Sequence, residues 1–244
     1  MSRPLALMLA VIAAACTQPA DTPSTVATTV APSFSSPTTE AEPETTTTTT
    51  PVTSSKLETV EPGSIEGPVG FVGCSMSQNA VEGYEAQGGT KMWSHRVPYG
   101  GGSIGRWVDD ITSDRGRYWS GFADMLERHP DTRVIWLNLC TIRENRADSV
   151  EAARALVAEI REAIPGAVIF VSGQPPYSDG HTCDLAGSGG PAMMAEIASE
   201  LVTDGLALTG PNMGPLAESD TKDGCHAGET GLTLLGRQLL EFFG

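Results

Sequence analysis

From about Gly67 to the end of the chain, apolar runs of strand length alternate with helix-period segments, and this alternation constrains the fold more than any other feature of the sequence. Residues 133–139 read RVIWLNL and residues 167–172 read AVIFVS, both suited to buried strands. Residues 68–73 (PVGFVG) are a shorter candidate and residues 206–209 a last one. Between them, Val150, Ala153, Leu156, Val157, Ile160 and Ile164 recur at helical spacing, as do Leu232, Leu235, Leu239 and Phe242 near the C-terminus. Strands separated by helices form a parallel sheet with both faces covered. In such a sheet ligands collect beyond the carboxyl ends of the strands, so the loops that follow the strands are where functional residues are expected.

The first 66 residues lack this pattern. Residues 1–16 (MSRPLALMLAVIAAAC) place Arg3 before an apolar run that ends in small residues, the layout of a secretory signal. The run is too short to span a bilayer. The segment Ala13-Ala14-Ala15-Cys16 also resembles a bacterial lipoprotein signal, which implies acylation of Cys16; an ordinary cleaved signal is the alternative. Residues 17–66 are rich in Thr, Ser, Pro and Glu and poor in large apolar side chains, so they cannot offset their ordering entropy and read as a disordered tether. The expected organisation is therefore a signal segment at 1–16, a linker at 17–66 and one folded domain at 67–244.

The formal net charge is −15; two basic and seven acidic residues in the first 66 leave −5 there and −10 for the domain. A nucleic-acid partner is excluded on this ground, because a polyanion is bound by clustered Lys and Arg.

Two short motifs could carry chemistry. The loop after the first strand candidate reads Gly73-Cys74-Ser75-Met76-Ser77, where a small residue lets the chain turn into a helix whose N-terminal N–H groups favour negative charge beside Ser75. A serine nucleophile needs a base. Near the C-terminus, Asp223-Gly224-Cys225-His226 precedes an amphipathic helix, and a carboxylate at this spacing can reach the imidazole Nδ1–H and leave Nε2 to face a serine. Of the four histidines (His95, His129, His181 and His226), only His226 has this arrangement just ahead of a terminal helix. Trp93, Trp107, Trp119 and Trp136 read as core or rim packing, Ser103 and Ser172 as turn residues, and the polar segment from Gln174 to Gly190 as the loop that shapes a pocket.

A GxSxS after the first strand, a Gly-rich loop at Gly100-Gly101-Gly102-Ser103-Ile104-Gly105 and a DxxH before the last helix together resemble the SGNH (GDSL) hydrolases over the whole domain. The resemblance implies a three-layer α/β/α sandwich with a parallel, flavodoxin-like five-stranded sheet. It also implies ester hydrolysis through an acyl-serine, with no metal and no cofactor. Carried onto this sequence, the nucleophile is Ser75, the base His226 and the acid Asp223. The oxyanion donors are the N–H groups of Ser75 and Gly105, with Gly102 as the alternative glycine, and the side chain of Asn138. Two places depart from the family pattern: Cys74 stands where the family has Asp, and Asn138 comes earlier than the asparagine of the family's third loop.

The domain holds Cys74, Cys140, Cys183 and Cys225, an even number in a chain expected to be exported. The fold implied by the resemblance makes the strands before Cys74 and Cys140 neighbours, which favours the pairs Cys74–Cys140 and Cys183–Cys225. Two other uses of these cysteines are zinc ligation through His181, Cys183, Cys225 and His226, which lacks CxxC spacing, and a Cys74 thiolate nucleophile.

The expected protein is thus an exported, monomeric serine ester hydrolase acting on a small-molecule or glycan ester, secreted or held at the outer face of a membrane through Cys16. The alternatives are a glycan O-acyltransferase or deacetylase of the same fold, and a tethered binding module that has lost catalysis.

Overall fold

The computed structural model describes residues 60–113, 116–178 and 180–244. The signal segment, the lipidation candidate Cys16 and nearly all of the linker lie outside the described residues. The packed region begins before Gly67: Pro62–Ser64 form a short 3-10 turn and Ile65 is buried in the core. Val60, the first residue described, also packs partly against the core.

Among the described residues, four strands, β1 (Val69–Val72), β2 (Val134–Leu139), β3 (Val168–Gly173) and β4 (Leu208–Thr209), form one sheet in the order β1-β2-β3-β4. All three pairings are parallel, with Phe71, Trp136 and Phe170 in one row across the sheet. The helices are α1 (Ser75–Ala86), α2 (Ile104–Thr112), α3 (Arg117–Arg128), α4 (Val150–Ala163), α5 (Gly190–Thr203) and α6 (Glu229–Phe243). They fall into two groups: α1 packs on α6, while α2 contacts α3 and α4, and α4 contacts α5. The α/β sandwich read from the alternation is the fold observed.

The expected fifth strand is the correction. Beside β1, on the side away from β2, the chain makes only a single parallel bridge, in which Val69 N–H donates to Lys91 O at 2.8 Å and Trp93 N–H to Val69 O at 2.9 Å. Residues 94–98 read SHRVP, and among the described residues they make no further ladder with β1. All four tryptophans are buried, with Trp107 and Trp119 edge to face at 5.0 Å.

The parallel order places the ends of β1, β2 and β3 side by side. The N-terminus of α1 follows directly from β1, and α6 starts just after the DxxH turn. Their packing brings Ser75 and His226, distant in sequence, to the same end of the sheet.

Candidate active site

The turn between β1 and α1 is built so that the chain reverses within two residues. Gly73 has no room for a side chain, since a Cβ there would lie 2.0 Å from Ser77 Oγ. Its carbonyl accepts from Trp107 Nε1 at 2.8 Å. Cys74, in extended conformation, caps α1: its Sγ accepts from Met76 N–H at 3.4 Å, and its own N–H donates to Ser77 Oγ at 3.0 Å. Ser75 is the first residue of α1, where backbone N–H groups have no intrahelical acceptor and the helix dipole favours negative charge.

Ser75 Oγ lies 2.9 Å from His226 Nε2, and His226 Nδ1 lies 2.8 Å from Asp223 Oδ2. A carboxylate can only accept, so Nδ1 carries the proton and Nε2 offers its lone pair to the Ser75 hydroxyl. The other carboxylate oxygen, Asp223 Oδ1, accepts from the backbone N–H groups of Cys225 (3.0 Å) and His226 (2.7 Å). Asp223 is nearly half exposed, at 48% against 24% for His226. What burial it has opposes ionisation, but the hydrogen bonds from the His226 ring and from these two N–H groups outweigh it and hold the carboxyl down at about 2.

The turn that carries Asp223 and His226 is tied on several sides. Lys222 N–H donates to His226 O at 2.9 Å, within an antiparallel bridge between Thr221 and Ala227. Asn79 Oδ1, reaching from α1, accepts from Ala227 N–H at 3.2 Å. The Tyr177 hydroxyl donates to Cys225 O at 3.0 Å, and His181 Nε2 donates to Gly224 O at 2.8 Å. Burial, with the Asp223 charge nearby, pushes the Tyr177 hydroxyl up to about 12, so it stays a protonated donor.

Cys74 is bonded to Cys140 and Cys183 to Cys225, the pairing favoured from the sequence. The first bond ties the residue before Ser75 to the residue after β2; the second ties the His226 turn to the loop after β3. With both sulfurs of Cys183–Cys225 in a disulfide, neither is a thiolate for zinc, and Cys74 is likewise no thiolate nucleophile. Two disulfides fit a chain folded in an oxidising compartment. Among the described residues, no helix is long and apolar enough to cross a membrane.

Two of the expected oxyanion donors are turned to other work. Gly105 lies inside α2 and donates its N–H to the buried Asp148 carboxylate at 2.7 Å. The alternative, Gly102, donates to Tyr99 O at 2.9 Å. Asn138 sits on β2, where it accepts from Ser77 Oγ at 2.9 Å and donates to Gly173 O at 2.8 Å. It is a buried strut between the Ser75 turn and β3. The glycine of this loop that borders the Ser75 cavity is Gly101. The Gly100 carbonyl accepts from the Arg117 guanidinium and the Gly101 carbonyl from Arg106 Nη1 at 3.2 Å. In a trans peptide the Gly101 N–H points opposite to the Gly100 carbonyl, away from Arg117.

Ser75 and His226 border a cavity of about 340 Å³ whose walls include Met76, Ile142, Leu185 and Ala186 together with both disulfides. Sequence reasoning missed Asn79 and Asp148 and the particular bonds of Gln174 and Tyr177, because each acts on a partner far away in the chain. It did place the pocket loop correctly, since the 174–190 segment borders this cavity through Gln174, Tyr177, Cys183, Leu185 and Ala186.

Fold and site together define an α/β protein that carries a hydrogen-bonded Ser–His–Asp constellation at the carboxyl end of a parallel sheet. No family model matches the sequence, and no curated protein matches it. Among solved structures, a GDSL-like lipase from Parabacteroides merdae is similar at 12% identity, over 73% of this chain and 95% of that one, with a TM-score of 0.42. A family two carbohydrate esterase from Clostridium thermocellum, solved in complex with cellohexaose, is similar at 18% identity over 72% of this chain, with a TM-score of 0.45; the chain spans 63% of its length.

Proposed function

We propose that this chain is a serine hydrolase of carboxylic esters, of the SGNH type that its motifs resemble. The observation that carries the reading is the continuous hydrogen-bond path from Ser75 Oγ through His226 to Asp223. In acylation, Ser75 Oγ bonds to the ester carbonyl carbon as its proton passes to His226 Nε2, and Asp223 stabilises the imidazolium. The Ser75 N–H, at the start of α1, and the Gly101 N–H take the developing oxyanion. The C–O bond to the alcohol then breaks and His226 returns its proton to the leaving oxygen. Water, deprotonated by the same nitrogen, attacks the acyl-serine, releasing the acid and restoring Ser75 Oγ–H.

The apolar walls contributed by Met76, Ile142 and Leu185 suit an acyl group of modest size. Export, with anchoring through Cys16, belongs to the same proposal and rests on the pattern of residues 1–16. Labelling of the full chain by a fluorophosphonate, with the adduct mapped by peptide mass spectrometry, tests the chemistry. An adduct at Ser75 that disappears in His226→Ala supports the reading, and no adduct, or one on another serine, overturns it.

A further inference from the structure

A second cavity, of about 350 Å³, adjoins the one that holds Ser75, and Gln174 and Tyr177 belong to the walls of both. It lies on the histidine's side of the site. Its wall residues Tyr177 and His181 are two of the side chains that hydrogen-bond to the backbone of the His226 turn, at Cys225 O and Gly224 O. In an ester cleaved by Ser75, the leaving oxygen must face His226 Nε2 to receive its proton, so the alcohol half of the substrate extends toward this side.

The chemistry of the cavity restricts that alcohol. Among the described residues, no Asp, Glu, Lys or Arg borders it, so none of them compensates a charged group there. Short neutral polar side chains, those of Ser172, Thr182, Ser188 and Asn212, are spaced around it. A hydrocarbon alcohol would cover these groups without replacing their hydrogen bonds to water, at a cost per group comparable to a lost hydrogen bond. An alcohol with several hydroxyls would replace them.

Gln174 marks the junction. It is only 6% exposed, and its Oε1 accepts from Thr141 N–H at 2.9 Å, which fixes the amide's orientation and leaves Nε2 as its donor end. Among the described residues, the only side-chain polar atom sealed away from solvent without a partner is the Tyr99 hydroxyl, so the open side of the Gln174 amide faces the cavities. It is a donor presented at the junction of the two cavities.

We infer that this second cavity is the subsite for the alcohol half of the ester and that it takes an uncharged polyhydroxy group, a sugar or polyol residue, with Gln174 donating to one of its oxygens. The inference rests on the ester-hydrolase reading for the word alcohol, but the binding it asserts can be measured without turnover. The test is a titration of the full-length Ser75→Ala protein with methyl β-glucoside, followed by backbone amide NMR, with cyclohexylmethanol as a hydrocarbon alcohol of similar size.

Saturable shifts centred on Thr182, Ser188 and Asn212 with the glucoside only are expected. Ala192→Phe, which fills the cavity from an exposed position of α5, should weaken that binding by about tenfold or more. No shifts, shifts elsewhere, or equal binding of cyclohexylmethanol would overturn the inference. In the Ser75-intact chain, the kcat/KM ratio of methyl glucoside 6-acetate to p-nitrophenyl acetate should fall with Ala192→Phe, and an unchanged ratio would also overturn it. Glucoside binding in a chain that hydrolyses no ester overturns the ester-hydrolase reading and leaves the polyol site standing. Hydrolysis of p-nitrophenyl acetate without glucoside shifts does the reverse.

Discussion

Gly83 and Gly236 meet backbone to backbone where α1 crosses α6. A Cβ on Gly83 would lie 1.9 Å from Leu232 O, and one on Gly236 would lie 2.1 Å from the Gly83 carbonyl carbon. The two helices can be this close only because both positions lack side chains, and their N-termini carry Ser75 and follow His226. The spacing of two glycines far from the cleft thus helps to set the 2.9 Å contact within it.

Gly236→Ala is therefore expected to do two things. The methyl meets backbone atoms that cannot rotate aside, so the helices must separate, and overpacking of this kind costs about 1–3 kcal/mol or more. Urea unfolding monitored by tryptophan fluorescence would show the loss. Ester hydrolysis at temperatures where the variant is still folded should fall as well, because the serine and histidine move with their helices. A variant that is destabilised but turns over ester normally would show that the crossing does not position the pair.

A second expectation concerns Asn138, which the resemblance assigns to the oxyanion hole and the structure assigns to a strut between Ser77 and Gly173. Asn138→Ala strands two buried partners, at about 1–3 kcal/mol for each group left unpaired. The main effect should appear in the unfolding midpoint. A stable variant whose kcat alone drops about a hundredfold or more is the signature of a lost oxyanion donor and would restore the earlier assignment.

What could be read from the sequence follows from how local each signal is. Residues 133–139 and 167–172 declare their strands through continuous apolar runs, and the 149–164 periodicity declares α4, because periodicity needs no distant partner. Asp223 and His226 were legible as a pair because they lie three residues apart, and Ser75 because its loop follows the first strand directly, whereas the contact between the two motifs spans 151 residues. Gly105 and Asn138 were misassigned for the opposite reason. Which glycine N–H is free depends on Asp148, forty-three residues further on, and the bonds of Asn138 run to Ser77 and to β3. The fifth strand failed where a polar stretch, SHRVP, followed a single apolar pair, Met92 and Trp93, too little to decide between a strand and a bridge.

The Cys183–Cys225 bond should matter more to activity than its place on a loop suggests. It closes a separation of 42 residues, which in the chain-entropy account contributes about 4 kcal/mol. It also holds the segment between Asp223 and His226. Cys183→Ala with Cys225→Ala is expected to lower the melting temperature and, at temperatures where the chain is still folded, to reduce kcat more than it raises KM, because His226 loses one of its restraints. Full kcat in the double variant would mean that Tyr177, His181 and Asn79 suffice to hold the turn.

The pH dependence follows from the state of Asp223. Its carboxyl is held down at about 2, so the aspartate is charged throughout any practical assay range and its protonation cannot account for activity lost on mild acidification. The group that must change is His226, which accepts the Ser75 proton only when neutral. On the acid side, Asp223 should therefore add no proton to the fall of log kcat/KM until about pH 2, so the slope should not exceed one above that pH. Asp223→Asn removes the anion that stabilises the imidazolium and lets an amide donate to Nδ1, which favours the wrong tautomer; kcat should drop by orders of magnitude, about ten-thousandfold in the best-studied triad. His226→Ala should be similarly damaging, and the double variant little worse than either single one, because residues acting as a unit are not additive. Initial rates across the pH range for the unmutated chain and these three variants check all of this. A slope of two, or losses that multiply in the double variant, would show that Asp223 and His226 do not act as one unit upon Ser75.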